Sequence, residues 1–161
     1  MIRKLTPSDF TAWKSIRLEA LKVHPEAFSG AYEEESTRSD DQWKQRLQDS
    51  VVFAEFDNER ITGVVGYYRR SGRKDYHRAG VYATYLQKDY RGKGVMTALI
   101  DALSEHARSE GIEQLELDVN VQALEAIKCY AHNGFSAFGT KPRTIKIDGC
   151  YIDTYMMVKY L

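Results

Sequence analysis

The sequence changes its pattern near residue 90, and this change constrains the fold more than any other feature. Before it, the apolar runs Val51–Phe56, Ile61–Tyr68 and Ala79–Leu86 follow one another with only turns or short loops between them, which predicts an antiparallel meander. After it, Thr97–Arg108 has apolar residues at helical spacing and Leu115–Val119 alternates like a strand. A meander followed by helix and strand in alternation predicts a mixed sheet of the α/β or α+β class.

The remaining segments supply further helices and a final hairpin. Thr6 and Pro7 form a helix start signal, and Pro25 ends that helix. Its inward positions recur at helical spacing: Phe10, Trp13, Ile16, Arg17, Ala20 and Leu21. Three more elements follow from the same rules: a helix over about Ser39–Asp49, a helix over Ala123–Asn133 capped by Gly134, and a hairpin around Asp148-Gly149.

Composition excludes several classes of protein. The 23 Lys and Arg residues balance 23 Asp and Glu residues, whereas a general nucleic-acid binder carries a basic excess. Cys129 and Cys150 are too few and too far apart for a disulfide framework, and the four histidines lack metal-ligand spacing. No apolar run approaches the roughly 18 residues of a membrane span, and Met1–Pro7 is unlike a signal peptide. We expect one cytoplasmic domain over 1–161, with no metal, membrane or nucleic-acid partner.

The segment Tyr90–Thr97 indicates the chemistry of the chain. Gly92 and Gly94 allow a ligand to approach the backbone closely, and the following helix adds partial positive charge at its N-terminus. Arg91 and Lys93 add full charges. The pattern is neither a Walker P-loop nor a Gly-x-Gly-x-x-Gly fingerprint. It predicts a pyrophosphate site, and the alternative is a glycine-rich turn with solvated basic residues.

This segment resembles the acyl-CoA loop of the GCN5-related N-acetyltransferases, the GNAT family, whose signature is Arg/Gln-x-x-Gly-x-Gly/Ala. The stretch Arg91–Met96 matches except at Met96, where the family has a small residue. A second match follows the strand Leu115–Val119: the stretch Ala126–Phe135 is similar to the family's fourth helix and its Tyr-x-x-x-Gly-Phe ending. Ala123 stands where the family often has Asn.

The resemblance implies a central mixed, mostly antiparallel sheet of about six to seven strands with about four helices. Strands four and five splay apart, and the pantetheine arm of CoA lies in the gap. Acetyl-CoA is then the co-substrate, no metal is needed, and a backbone N–H near Leu86 bonds the thioester carbonyl. The residues that would contact CoA are Tyr85, Leu86, Arg91, Gly92, Lys93, Gly94, Val95, Met96 and Thr97.

The resemblance also implies direct attack of an amine on the thioester in a ternary complex, so neither cysteine is needed. Tyr130 matches the family's tyrosine and is the candidate acid for the leaving thiolate. A core aromatic residue is the alternative for Tyr130. Asp118 is the candidate base, acting through water, and the alternative is a solvated or ion-paired carboxylate. Glu116 shares its strand face and stays open as a base.

The resemblance further implies that the acceptor binds between the first helical loop, about Val23–Ser36, and the hairpin at about Lys141–Tyr151. In the first loop Glu33–Glu35 predicts a cationic amine, and a solvated acidic run is the alternative. The leading function is acetyl transfer to a primary amine of a small molecule. The alternatives are a non-catalytic acyl-CoA sensor and a protein or peptide N-acetyltransferase. The resemblance also implies a possible homodimer through the C-terminal strands, for which Tyr155–Val158 is apolar enough, and ordinary core is the alternative for that segment. Four tyrosines could form an aromatic acceptor wall: Tyr67, Tyr68, Tyr82 and Tyr85.

Overall fold

A seven-stranded mixed sheet runs through the molecule, for which a computed structural model describes residues 1–161. The strands are β1 (Ile2–Lys4), β2 (Val51–Asp57), β3 (Arg60–Arg69), β4 (Arg78–Leu86), β5 (Gln114–Asn120), β6 (Ser136–Ile147) and β7 (Cys150–Tyr160). They lie in the order β1-β2-β3-β4-β5-β7-β6. Only β4 and β5 pair in parallel, and every other neighbouring pair is antiparallel. The mixed, mostly antiparallel sheet predicted from the sequence is confirmed.

Five α-helices accompany the sheet: α1 (Phe10–Val23), α2 (Tyr32–Glu35), α3 (Asp40–Asp49), α4 (Val95–Ser109) and α5 (Leu124–His132). Short 3-10 turns occupy Pro7–Asp9, Pro25–Ala27 and Lys88–Tyr90. The sequence predicted about four helices. The additional one is the single turn α2, which forms where the acidic run Glu33–Glu35 turns Glu35 inward, away from solvent. No helix is long and apolar enough to cross a membrane.

The caps and turns form where the sequence predicted them. Asp9 accepts hydrogen bonds from the Thr6 backbone N–H at 2.8 Å and from its hydroxyl at 2.9 Å, which fixes the chain entering α1. Ser39 and Gln42 form a reciprocal capping box at α3. Gly134 ends α5 at a φ of 87°. Asp148 and Gly149 both have positive φ angles, as a two-residue hairpin turn requires.

Two hydrophobic cores lie on opposite faces of the sheet. The first core joins α1 and α3 to β2, β3 and β4, with Trp13 and Trp43 packed edge to face at its centre. The second core joins α4 to β3, β4, β5 and β7 through residues such as Leu103 and Leu115. The first core therefore ends at β4. No α-helix covers the α1-side face of β5, β7 and β6, where the short turn Pro25–Ala27 approaches β5.

The sheet divides where β4 and β5 separate. These strands pair only between Arg78–Gly80 and Gln114–Glu116, although both continue for several residues beyond. We call the opening beyond Gly80 and Glu116 the fork. The splay between strands four and five that the family resemblance implied is therefore present.

A β-bulge distorts β4 beside the fork. On β3, Val64 pairs with Tyr85 and Gly66 pairs with Tyr82, so β4 carries one extra residue across this interval. Ala83, within the bulge, has a φ of 56°, an unusual conformation for a non-glycine residue. The bulge changes the direction of the backbone and of the Thr84 side chain at the fork.

The C-terminal segment Tyr155–Val158, in which the sequence suggested a dimer contact, belongs to β7. This strand lies inside the sheet between β5 and β6. Met157 and Val158 are buried there. The apolar character of the segment is thus accounted for by the core, and the free edge of the sheet at this end is β6.

Candidate functional site

A large cleft opens on the α1 side of the fork. Its volume is about 1030 Å³. The cleft has two sides. The helical wall is formed by Arg17, Phe28–Gly30, Glu35, Arg46, Asp49 and Ser50, and the strand floor is formed by residues of β4, β5, β6 and β7. The cleft exists because no α-helix covers the strand floor. Parts of both segments predicted to hold the acceptor, 23–36 and 141–151, line it.

The predicted pyrophosphate segment consists of an exposed loop, Arg91–Gly94, and the half-buried first turn of α4, Val95–Thr97. We call Arg91–Thr97 the phosphate loop. Gly92 and Gly94 have φ angles of 72° and 77°, and a Cβ on either would meet no heavy atom within 4 Å. The N–H of Ala98 is the first in the helix to donate to a main-chain carbonyl, that of Gly94 at 3.0 Å. The N–H groups before it are the ones that a helix leaves without an intrahelical partner. An anion can therefore approach them without obstruction.

Arg91 holds the phosphate loop against the end of β4. Its Nε donates to the Leu86 carbonyl at 2.9 Å, and its Nη2 lies 3.3 Å from Nε2 of His24. Tyr85 is buried beside these residues, and its hydroxyl donates to Glu19 at 2.9 Å. Burial, together with that hydrogen bond, raises the pKa of Tyr85 to about 12. The side chains of Arg91 and Tyr85 therefore position the loop and strand, and the backbone remains the surface that a ligand would meet.

Tyr130 projects from α5 into the cleft together with Thr84 of the bulge. Its ring packs edge to face on Phe135, with centroids 5.7 Å apart. Burial raises the pKa of Tyr130 to about 12, with a smaller opposing effect from the Thr84 side chain. The phenol thus keeps its proton at neutral pH, which is the state that a proton donor needs.

Asp118 and Glu116 share the open face of β5, as the strand pattern predicted, but their partners differ. The Lys141 ammonium donates to Asp118 at 2.6 Å, and both side chains are partly exposed. Arg78 bonds both oxygens of Glu116, at 2.6 and 2.9 Å, and Gln114 adds a third bond at 2.6 Å. The Arg78 hydrogen bonds hold the pKa of Glu116 below its usual value, which makes Glu116 a weak base.

The acidic run in the first loop does not present three carboxylates to the cleft. Glu35 is 3% exposed and accepts hydrogen bonds from Nε and Nη2 of Arg17 at 3.0 and 2.8 Å. Glu33 and Glu34 are exposed and do not line the cleft. The one member of the run that reaches the cleft is therefore already paired with a cation.

The four tyrosines named from the sequence lie in two places. Tyr68 and Tyr82 line the cleft with ring centroids 6.0 Å apart, and Tyr82 shares a 2.5 Å hydrogen bond with Ser50. Tyr67 and Tyr85 are buried in the two cores. Half of the predicted aromatic wall therefore belongs to the cleft.

The two departures from the family signature are tolerated locally. Met96 is half-buried and packs against the second core, with its side chain away from the open ends of Gly92 and Gly94. Ala123 precedes α5 and offers no side-chain cap, but the neighbouring Asn120 side chain accepts from the Gln122 N–H at 2.8 Å. A different asparagine thus supplies a polar contact at this turn.

Several cleft residues were not anticipated. Arg46 was not singled out, and Arg17 was read only as one position on the inward face of α1, whereas Phe28 belongs to the predicted acceptor loop 23–36. For Arg17, the signal available in the sequence was an arginine on an otherwise apolar helix face. No group of three or more His, Cys, Asp or Glu residues is placed to hold a metal ion.

Three comparisons with known proteins are informative. An uncharacterized N-acetyltransferase of Methanocaldococcus jannaschii is 37% identical over 57 residues, which are 35% of this chain and 25% of that protein. The chain thus matches about a quarter of the length of that curated relative. Two solved structures align with 100% of this chain. The first is a ribosomal-protein-alanine N-acetyltransferase from Brucella melitensis, with a TM-score of 0.85, 22% identity and 99% of that chain covered. The second is a phosphinothricin acetyltransferase from Sinorhizobium meliloti in complex with AcCoA, with a TM-score of 0.81, 20% identity and 88% of that chain covered.

These structural likenesses show a shared fold. The family follows from the sequence itself, because the model of the acetyltransferase (GNAT) family matches residues 15–135. That range includes the fork, the phosphate loop and α5. The chain therefore belongs to the GNAT acetyltransferase family.

Proposed function

We propose that this protein transfers the acetyl group of acetyl-CoA to a primary amine, in a ternary complex without an acyl-enzyme. The observation that carries the proposal is the fork, which places Tyr130 and the β4 bulge in one cleft. The phosphate loop lies at the end of the same strand. The S. meliloti relative, whose structure contains AcCoA, has the same fold and supports the choice of co-substrate.

The proposed position of acetyl-CoA uses the two parts of this surface. The pyrophosphate would bind the free N–H groups of the phosphate loop, with charge from Lys93 and the α4 N-terminus. The pantetheine arm would lie in the fork, where β4 and β5 have backbone groups without a partner strand. Among the contacts inferred from the sequence, those at Leu86 and Val95–Thr97 would come from the backbone.

The proposed chemistry is direct acyl transfer. The amine nitrogen attacks the thioester carbonyl, so a C–N bond forms and the C–S bond breaks. Asp118, through a water molecule, takes the proton lost by the amine, and Tyr130 donates a proton to the departing thiolate. Asp118 is exposed enough to exchange its Lys141 partner for water, whereas Glu116 is held by three hydrogen bonds.

Thiol release with a panel of primary amines and short peptides tests the proposal. We expect CoA release that depends on at least one amine, and a Tyr130→Phe variant with kcat lowered about 100-fold or more, the usual size of a general-acid contribution. Tyr160→Phe is the matched control, because Tyr160 is 74% exposed and far from the cleft lining. Full turnover in Tyr130→Phe would remove that residue as the acid.

The same panel separates the alternatives. A non-catalytic acyl-CoA sensor would bind CoA but release no thiol with any amine. A protein or peptide acetyltransferase, the class of the B. melitensis relative, would favour peptides. The cleft favours a small acceptor, because the helical wall and the β6–β7 hairpin border it on two sides.

Three expectations from the sequence stay predictions. A homodimer would have to form at an exposed surface such as the edge strand β6, since β7 is an inner strand. The cytoplasmic location and the single-domain organisation over 1–161 are likewise predictions from the sequence.

A further inference from the structure

The helical wall holds two guanidinium groups beside one carboxylate. Arg17 is 5% exposed and uses Nε and Nη2 to bond Glu35. The Nη1 atom of Arg46 lies 3.8 Å from the same carboxylate, which is an ion pair without a hydrogen bond. The single negative charge of Glu35 is therefore shared by two positively charged side chains.

Both arginines have donors that the protein does not use. Nη1 of Arg17 is buried and has no hydrogen-bond partner, although Arg17 lines the cleft. The Arg46 side chain is 24% exposed, and its only ion pair is the 3.8 Å contact with Glu35. A buried donor without a partner is costly, and native proteins leave few of them. The arrangement is what a site for an anionic ligand would contain before the ligand binds.

The loop between α1 and α2 encloses this pair. The Phe28 ring lies over the Arg17 guanidinium, with 4.9 Å between Cζ and the ring centroid. A Cβ on Gly30 would fall 2.4 Å from Glu35 Oε1 and 3.0 Å from Arg17 Nη2, so only glycine lets the backbone come this close. Water is thereby kept from one side of the arginines, which strengthens their attraction for an anion.

Most other charged side chains of the cleft are already paired. On the strand floor Glu116 is bonded by Arg78 and lies 3.7 Å from Arg70, and Asp118 pairs with Lys141. The charged residues lining the whole cleft are Arg17, Arg46, Arg70, Arg78 and Lys141 against Glu35, Asp49, Glu116 and Asp118. The helical wall thus carries two positive and two negative charges, but Asp49 is exposed and accepts a hydrogen bond from Gln45 at 2.7 Å. The unused donors of Arg17 and Arg46 are therefore the groups of this wall that can bind an anion, and Asp118 marks the carboxylate end of the cleft.

We propose that the acceptor is an amine that also carries an anionic group, a carboxylate or a phosphonate, and that Arg46 together with Nη1 of Arg17 binds this group. The amine then points toward Asp118 and the fork. Arginine suits this role, because its planar donors match two oxygens of such an anion. This inference rests on the proposed acetyl transfer. It replaces the expectation that Glu33–Glu35 attract a cationic amine.

Binding without turnover tests the proposal. Calorimetry on the full chain with CoA present compares members of three pairs: L-phenylalanine with phenethylamine, L-leucine with isopentylamine, and 2-aminoethylphosphonate with ethanolamine. In at least one pair we expect the anionic member to bind at least tenfold more tightly. Arg46→Gln reduces that preference to less than threefold, whereas Arg46→Lys keeps part of it. Lys44→Gln is the matched control on the same helix, because it removes one charge outside the cleft.

The outcomes are distinct. No preference in any pair, or a preference that persists in Arg46→Gln, overturns the inference. If Arg46 served only to stabilise Glu35, Arg46→Gln would lower the midpoint of unfolding but would leave the preference for the anionic member of each pair unchanged. An anion preference lost in Arg46→Gln supports the site even if no amine yields free CoA, and in that case the proposed acetyl transfer is what fails.

Discussion

Two of the ion pairs in the cleft have nearly equal lengths but lie in different surroundings. Arg17 and Glu35 approach to 2.8 Å with side chains 6% and 4% exposed, and Lys141 and Asp118 approach to 2.6 Å with side chains 50% and 36% exposed. Burial makes the first pair difficult to separate, since either partner alone would be an uncompensated charge away from water. Solvent screens the second pair, so either member can change partners at little cost. Similar distances therefore correspond to a fixed structural pair in one case and to a pair that can exchange its partners in the other.

The largest expected effect comes from breaking the buried pair. Arg17→Ala leaves Glu35 buried without its hydrogen bonds, and we expect the free energy of unfolding to fall by about 3–5 kcal/mol. Urea denaturation followed by circular dichroism measures this change. Lys141→Ala is the matched control. A loss below about 1 kcal/mol in Arg17→Ala would mean that the two pairs are energetically alike.

The same pair has a characteristic pH dependence. Burial by itself raises the pKa of Glu35, but the Arg17 hydrogen bonds and the charges of Arg17, Arg46 and Arg38 together hold it below its usual value. A lowered folded-state pKa stabilises the protein above the unfolded value of about 4.3, and the contribution disappears as the pH falls below it. The stability difference between the wild type and Glu35→Gln should accordingly shrink below about pH 4.

The exposed pair is expected to matter for turnover. If Asp118 is the base, Asp118→Asn lowers kcat about 100-fold while the unfolding midpoint stays within error. Thiol release at neutral pH measures the effect, and thermal unfolding of the same variant measures its stability. An unchanged rate would show that water or another group accepts the proton.

The smallest effect belongs to Lys141. We expect Lys141→Met to change the free energy of unfolding by less than about 1 kcal/mol, because exposed ion pairs contribute little. Its kcat should stay close to that of the wild type, since Asp118 is then free to bind water. A stability loss as large as that of Arg17→Ala would remove the distinction between the two pairs.

Most of the fold was readable from the sequence because local signals fixed its boundaries. Thr6, Pro7, Ser39 and the Asp148-Gly149 turn each act on neighbouring backbone, and the structure has its helices and turns at those places. The position of β7 between β5 and β6 was less accessible. It depends on pairing between residues distant in the chain, which no local pattern of Tyr155–Val158 encodes.

The sequence predicted parts of the candidate site only where a short motif marks them. The phosphate loop carries its glycines in the sequence, whereas the bulge at Ala83 uses an ordinary residue at positive φ and leaves no signal. Glu35 was grouped with Glu33 and Glu34 because the three are adjacent. Their different roles arise from tertiary contacts: only Glu35 turns toward Arg17, and the other two remain exposed.

The short seam between β4 and β5 also determines how the molecule can deform. Three residues of each strand join the half made of β1–β4 to the half made of β5, β7 and β6. The first core lies wholly within one half, so it does not resist rotation about the seam. Helix α4 packs on β1, β2 and β3, it shares the second core with Leu115 of β5, and the turn Pro25–Ala27 also contacts β5. The backbone connection between the two halves is therefore narrowest at the seam, and bending there would change the width of the fork against the resistance of the second core and of that turn.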